Sequence, residues 1–203
     1  MENLNIQTTR LKIRHLELSD LSDFHRYRSN PDVTKYQGFD VMTPEQAEKF
    51  ISDNAAKQFG KAGEWVQYGI EKMETNQLIG DCAIKLDHYD TRIAEIGITI
   101  SHLEQNQGFA KEVLLAILSF LFEVKGIHRV VEIVDAENIA SINLLKSTGF
   151  RQEGHFIENI FFKGKWGSEF QYAMLQREWN ARKQQDFIKN KEPLTGGPIS
   201  ASK

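Results

Sequence analysis

Three short stretches of this chain carry residue types that could do chemistry. The first is Gln105-Asn106-Gln107-Gly108-Phe109-Ala110, which follows an apolar, β-branched run at 94–100 and opens a strongly apolar segment. A strand that ends in a polar turn heading a helix makes an anion site. The first four helical amides have no partner inside the helix, and the macrodipole adds partial positive charge there. Gly108 lets backbone approach a phosphate with no side chain between them, although a single glycine at a helix start serves simple packing as well. The second is Glu95, a carboxylate between apolar neighbours on the same strand, where burial would raise its pKa toward that of a general base. An ion-paired residue on a solvated strand face is the competing reading, and a one-residue slip in register would turn the side chain to the other face. His102, in the polar turn, is a second titratable candidate. The third stretch is Asn138-Ile139-Ala140-Ser141, in which Asn138 caps a helix and Ser141 falls in its first turn.

The surrounding pattern supplies the elements that must position these residues. Residues 9–16 alternate as a half-buried strand. Ser19-Asp20 starts a helix that reaches Arg28 and is ended by Pro31. Thr43-Pro44-Glu45-Gln46 is a strong start signal, with a Thr cap, Pro in the first position and Gln at the capping-box position, for a helix to about residue 59. Runs at 64–72 and 77–86 form a hairpin around Asn76, and the key strand follows at 92–100. Gly97 inside that strand marks a bulge or a close backbone approach. A helix over 108–125 stops at Gly126, and a valine-rich strand occupies 128–134, so that strand, helix and strand have the length of a parallel crossover unit. The helix from Asn138 closes at Gly149. Residues 151–162 and 167–175 make a long antiparallel hairpin about Lys163-Gly164-Lys165, and a polar helix anchored by Trp179 runs over 176–189. Residues 1–189 therefore read as one domain, and 190–203 have the composition of a disordered tail.

Composition narrows the function classes. With 203 residues the chain can bury one substantial core, and 40% hydrophobic with 26% charged residues is ordinary for a soluble globular protein. The formal charge of −3 gives no basic excess for a nucleic-acid partner. No apolar run approaches the ~20 residues needed to span a bilayer, and the N-terminus lacks the regions of a secretory signal. The single Cys82 cannot form an intrachain disulfide and lies in an apolar, strand-like run as a small hydrophobe. These features fit the cytoplasm. Antiparallel strands in the N-terminal half and the lack of G-x-G-x-x-G argue against a dinucleotide-binding fold.

The motifs together resemble one family. Gln105-x-x-Gly108-x-Ala110 after a buried strand is similar to the acetyl-CoA pyrophosphate loop of the GNAT N-acetyltransferases. Asn138-x-x-Ser141, Gly149-Phe150 and Glu153-Gly154 resemble the signature of the RimJ/RimL-like branch, as do Thr9 to Arg14 and Gly164 to Glu169. The resemblance spans roughly residues 8 to 179. It implies an α+β fold, layered α/β/α, with a mixed, mostly antiparallel sheet of about seven strands splayed at the acetyl-CoA site. It also implies direct transfer of an acetyl group from acetyl-CoA to a primary amine, either a protein N-terminus or a small molecule, without a metal and by a monomer or homodimer. By the same resemblance the cofactor is held by Ile98, Thr99 and Ile100 of the strand, by Gln105, Asn106, Gln107, Gly108, Phe109 and Ala110 of the loop, and by Asn138, Ser141 and Asn143. Amides at 98–100 would stabilise the oxyanion, Glu95 would act as base, and Ser141 would protonate the leaving thiolate. The family often carries a tyrosine for that last role, but Leu144 and Leu145 stand near its place, which leaves open a GNAT-fold module that binds acetyl-CoA without catalysis. Tyr36, Phe39, Trp65, Tyr68, Phe161 and Trp166 are the aromatic candidates for the acceptor entrance.

Overall fold

The computed structural model describes residues 4–191, with side chains as far as Gln185. The chain begins with strands β1 (Ile6–Gln7) and β2 (Leu11–His15), followed by helices α1 (Leu21–Arg28), α2 (Pro31–Thr34) and α3 (Pro44–Ala55). Strands β3 (Trp65–Lys72), β4 (Gln77–Leu86) and β5 (Ile93–Ile100) come next, then α4 (Phe109–Ser119), β6 (Arg129–Asp135) and α5 (Ile139–Ser147). The hairpin β7 (Arg151–Phe162) and β8 (Lys165–Leu175) leads into α6 (Gln176–Lys191). The part of the expected tail beyond 191 lies outside the described residues.

Local chemistry explains most of these boundaries. Thr43 Oγ1 accepts from the Gln46 amide at 3.2 Å while Gln46 Oε1 accepts from the Thr43 amide at 2.8 Å, the reciprocal pair the sequence predicts. Helix α3 nevertheless stops at Ala55, short of residue 59. Pro31 does more than end α1. Asn30 Oδ1 accepts from the Asp32 amide at 2.8 Å and caps the one-turn α2 with Pro in its first turn. Helix α4 gives way to a π-helical turn at Phe120–Val124 before Gly126, whose φ is +66°. Lys163 and Gly164 both have positive φ (49° and 78°), the combination a two-residue hairpin turn requires.

The eight strands of the described residues form one sheet in the order β1-β2-β3-β4-β5-β6-β8-β7, antiparallel except for β5 beside β6. The α+β layout with a mixed sheet agrees with expectation. Among the described residues there are eight strands where the sequence suggests about seven. The two residues of β1 are too few to show a period, and β1 is placed by pairing with Ile13 and Lys12. A large core gathers the α4 and α5 face of the sheet, including Ile84, Ala94, Ile96, Val113, Ile117, Val130 and Leu145. Phe109, Val113, Leu114, Ile117 and Leu118 of α4 are each at most 3% exposed. Burying such side chains contributes about 1.5–3 kcal/mol apiece. A smaller core of Phe24, Tyr27, Ala47, Ile51 and Leu78 covers the other face under α1 and α3.

The feature that matters most is a fork. β5 and β6 pair only at Ile93–Arg129, Ala94–Val130 and Glu95–Val131, although β5 runs on to Ile100 and β6 to Asp135. Gly97 does not mark a bulge, because the β4–β5 register is continuous from Gly80–Ile100 to Leu86–Ala94 and nothing lies within 4 Å of where a Gly97 Cβ would be. The close approach is one strand away. A Cβ on Gly80 would lie 2.3 Å from the Thr99 carbonyl oxygen, so glycine there lets β4 hold β5 tightly on one edge while the other edge opens.

Candidate active site

The polar loop after β5 has the geometry of an anion nest. Asn106 (φ 61°) and Gly108 (φ 80°) both adopt the left-handed conformation, and Gly108 is the N-cap of α4. Phe109 is 3% exposed, which plants the first turn of α4 in the core while the loop before it stays open. A network from the N-terminal segment fixes this turn. Glu112 accepts from the Thr8 hydroxyl at 2.6 Å, the Arg10 amide at 3.0 Å and Arg10 Nε at 2.7 Å. Burial alone would raise the Glu112 pKa, but these donors outweigh it and hold the group ionised below its ordinary value. Arg10 also donates to the Gln107 carbonyl at 3.1 Å, and its guanidinium lies 4.4 Å from the Phe109 ring centroid. Lys72 Nζ stands 3.5 Å from Glu104 in the same region. The loop thus combines unpaired amides, a helix N-terminus and nearby cations, which is what a diphosphate needs.

One cleft of about 370 Å³ joins this loop to the fork. Its walls include Ile98, Thr99 and Ile100 of β5, Gln105, Asn106, Gly108, Phe109 and Ala110 of the loop, and Asn138, Ser141 and Leu144 of the α5 start. The α2 segment adds Asp32, Val33, Tyr36 and Gln37. Backbone directions follow from two contacts. The Ser101 amide donates to the Ile79 carbonyl at 2.8 Å, and the Thr99 carbonyl lies against Gly80, so odd-numbered residues of β5 turn their backbone groups toward β4. Ile96, Ile98 and Ile100 therefore face the fork. The Ile100 carbonyl is already engaged by Gln105 Nε2 at 3.2 Å. Thr99 contributes to the wall, but its amide is directed away from the opening and is no oxyanion donor.

Other sequence candidates separate clearly. Asn138 lines the cleft and its Oδ1 caps α5 by accepting from the Ser141 amide at 3.2 Å. Ser141 is half-buried in the same wall. Gln107 and Asn143 are exposed and outside the cleft lining. Glu95 does not meet the premise of its assignment. It is half-buried rather than enclosed, shares a sheet face with Gly97 and Thr99, and pairs with Lys85 at 2.5 Å. Alternation on the strand decided between the two readings, and the ion pair prevailed. His102 is exposed on a short 3-10 turn. Cys82 is buried, and burial first, with Asp81 second, raises its thiol well above the ordinary range.

Of the six aromatic candidates for the entrance, Tyr36 alone is in the cleft wall. Tyr68 is fully buried, Phe161 and Trp166 contact each other edge to face on the exposed hairpin, and Trp65 lies under Lys85. Phe39 packs 4.0 Å from the Arg28 guanidinium. That contact exposes a structural unit the sequence does not announce. Arg28 and Asp81 form a buried ion pair at 2.5 Å, 2% and 1% exposed, and Tyr27 donates its hydroxyl to Asp81 at 2.6 Å. The unit ties the end of α1, and with it the α2 wall, to β4.

A second missed residue is Glu132 of β6. It lines the cleft, is 8% exposed, and its Oε2 has no hydrogen-bond partner among the described residues. Burial first, and the nearby Glu95 carboxylate second, raise its pKa to about 8. A single glutamate within a valine-rich strand reads as a solvent-facing position, which is why the pattern hid it. No group of three or more His, Cys, Asp or Glu side chains suited to a metal occurs among the described residues, nor is any helix there long and apolar enough to cross a membrane.

An amide-lined loop beside a forked strand pair is the arrangement that the resemblance to the GNAT acetyltransferases implies for an acetyl-CoA site. The Acetyltransferase (GNAT) domain profile matches residues 10–151, and the chain belongs to that family. It is 32% identical over 177 residues to the uncharacterized N-acetyltransferase YnaD of Bacillus subtilis (strain 168), covering 87% of this chain and 100% of that one. It is 28% identical to a spermidine N(1)-acetyltransferase of Vibrio cholerae, covering 84% and 96%. A GNAT-family acetyltransferase structure from Bacillus anthracis superposes with a TM-score of 0.78 at 28% identity, covering 86% of this chain and 99% of that one. Similarity to the ribosomal protein uS5-alanine N-acetyltransferase of Escherichia coli is more distant, 23% over 60% of this chain and 63% of that one, so the branch-level resemblance has remote support. The protein is an N-acetyltransferase, and acetyl-CoA is its acyl donor.

Proposed function

We propose that the acceptor is a small, cationic primary amine, acetylated directly from acetyl-CoA in this cleft. The observation that carries the reading is a single opening that takes in the diphosphate loop, the strand fork and the α2 segment with Asp32 and Tyr36. A carboxylate suits an ammonium group, and the Tyr36 ring already carries one, with Lys35 Nζ 4.8 Å from its centroid; the spermidine-acetylating relative supports the same class. In this reading amides of residues 105–110 hold the diphosphate and the pantetheine arm pairs along the free edge of β5. The Ile98 N–H points at the thioester oxygen, where charge develops in the tetrahedral intermediate. Asn138 orients the first turn of α5, and the Ser141 hydroxyl donates a hydrogen bond into the cleft.

Magnitudes rank these contributions. Holding donor and acceptor together supplies roughly 7–11 kcal/mol, whereas one proton-transfer group supplies about 10²–10⁴-fold, roughly 3–5 kcal/mol. The loop and fork should therefore dominate catalysis. The test is thiol release from acetyl-CoA with spermine, spermidine, and peptides bearing N-terminal alanine or serine. Turnover with the polyamines is expected. Turnover with the peptides and none with the polyamines would overturn the acceptor assignment.

A further inference from the structure

Glu132 occupies a particular place in the fork. It is the residue after Val131, the last position at which β6 pairs with β5, so its backbone stands where the two strands part. Its side chain shares a face with Val130 and Val134, which belong to the core under α4 and α5. The diphosphate loop begins just beyond Ile100. Four residues back along β5, ~13 Å at the rise of a strand, is Ile96 at the fork. An arm laid along that edge from the loop brings its thioester to Glu132. A buried carboxyl oxygen with no partner is rare enough to need an explanation, and a reacting group that arrives with the substrate is one.

Charged and titratable groups from the neighbouring elements surround Glu132, which among them is the buried one with an unpartnered oxygen. From β5, Glu95 adds a like charge but is held by Lys85 on the other face. From β8, the register partner is Tyr172, whose hydroxyl donates to Gln152 at 3.1 Å. From α4 Lys111 reaches the cleft wall, from α5 Ser141 and Leu144 do, and Asp32, Tyr36 and Glu104 line it from the α2 segment and the turn after β5. We propose that Glu132 is the proton-transfer group of acetyl transfer, protonating the departing thiolate where β5 and β6 part. This rests on the acetyltransferase reading above.

The step balances as follows. The neutral amine nitrogen bonds to the thioester carbonyl carbon, and as the C–S bond breaks its electron pair stays on sulfur. The Glu132 carboxyl proton passes to that sulfur and gives the free thiol. The surplus proton on the new amide nitrogen returns to the Glu132 carboxylate. The amine and acetyl-CoA become the N-acetyl amine and coenzyme A, with Glu132 restored. At neutral pH burial keeps the group in the protonated form the step needs.

Three measurements on the full chain test this. Calorimetry with coenzyme A comes first: wild type and Glu132→Gln should bind alike, and a wild type that does not bind overturns both this inference and the acetyltransferase reading. Second, carbon-13 spectra of glutamate-labelled protein should show one carboxyl, absent in Glu132→Gln, that titrates near pH 8. Coenzyme A should move that midpoint more than its desulfo analogue does. A midpoint in the ordinary carboxylate range, or equal response to both ligands, overturns the proposal. Third, with acetyl-CoA and spermine, Glu132→Gln should lose about 100-fold or more in kcat with KM for acetyl-CoA within about twofold. Retention of kcat within threefold overturns the proposal. If spermine is not turned over, the acceptor assignment falls and the spectra alone decide Glu132.

Discussion

Replacing Glu132 by leucine should stabilise the protein at neutral pH and remove a pH dependence that the wild type displays. The native pKa of about 8 compares with an ordinary value of 4.5. Below 4.5 the carboxyl is protonated in both states and costs nothing through ionisation. Between 4.5 and 8 the unfolded chain has lost a proton that the native state keeps, so the native state binds more protons and stability falls as pH rises. Above 8 both are ionised and the loss levels off. A gap of about 3.5 pH units at about 1.4 kcal/mol each sets the full penalty near 5 kcal/mol, with about 3 kcal/mol of it already present at pH 7. For a chain of this size that corresponds to a gain of about 6–12 °C in Tm for the leucine variant at pH 7. The advantage should shrink steadily toward pH 5. Urea titrations of both proteins from pH 5 to 8.5 would show it as two stability curves that diverge as pH rises. Parallel curves would refute the reasoning, since they would mean that Glu132 ionises equally in both states. Loss of turnover together with the higher Tm would show that stability is given up at the fork for the reaction.

Substituting Gly108 by tryptophan should cost only about 1–2 kcal/mol of stability from the left-handed backbone, because the space around its Cβ direction is open apart from Arg10 Nη2 at 3.6 Å; affinity for coenzyme A should nevertheless drop at least about tenfold, and unchanged affinity by calorimetry would count against the diphosphate assignment. Gly80→Ala places a methyl group against the Thr99 carbonyl, a backbone atom that cannot step aside, so the melting curve should report a loss of about 1–3 kcal/mol. Because Ile98 and Ile100 would shift with β5, kcat/KM for acetyl-CoA should fall by up to about 100-fold. Arg28→Met leaves Asp81 charged and buried without its partner, which should cost about 3–5 kcal/mol in chemical denaturation; converting both to apolar residues, Arg28→Met with Asp81→Leu, should recover most of that loss.

The backbone elements that frame the candidate site were legible in the sequence. A polar turn with Gly108 ahead of an apolar helix has few alternative structures, and Thr43 with Gln46 or Asn138 with Ser141 announce their caps by spacing. The parts decided across strands were not legible. Whether Glu95 is enclosed or paired depends on which residue of β4 stands opposite it, and Lys85 does. The tight contact falls at Gly80 rather than Gly97 because it is set by the approach of β4 to the Thr99 carbonyl, a distance no single strand encodes. Glu132 looks like a solvated residue until the parting of β5 and β6 is known. The Arg28–Asp81 pair joins positions 53 residues apart, and only the packing of α1 on β4 brings them together.

The turn of the β7–β8 hairpin reaches across the molecule, where Lys163 Nζ donates to the carbonyl of Thr34 at 2.6 Å. One wall of the cleft is thus latched by a loop encoded some 129 residues downstream, while the loop before α4 is secured separately through Thr8, Arg10 and Glu112. Under the proposed function, lengthening, shortening or recharging that loop would re-key the amine doorway and leave the coenzyme berth untouched. Such a division would let one scaffold exchange its amine clientele without relearning how to hold its acetyl donor.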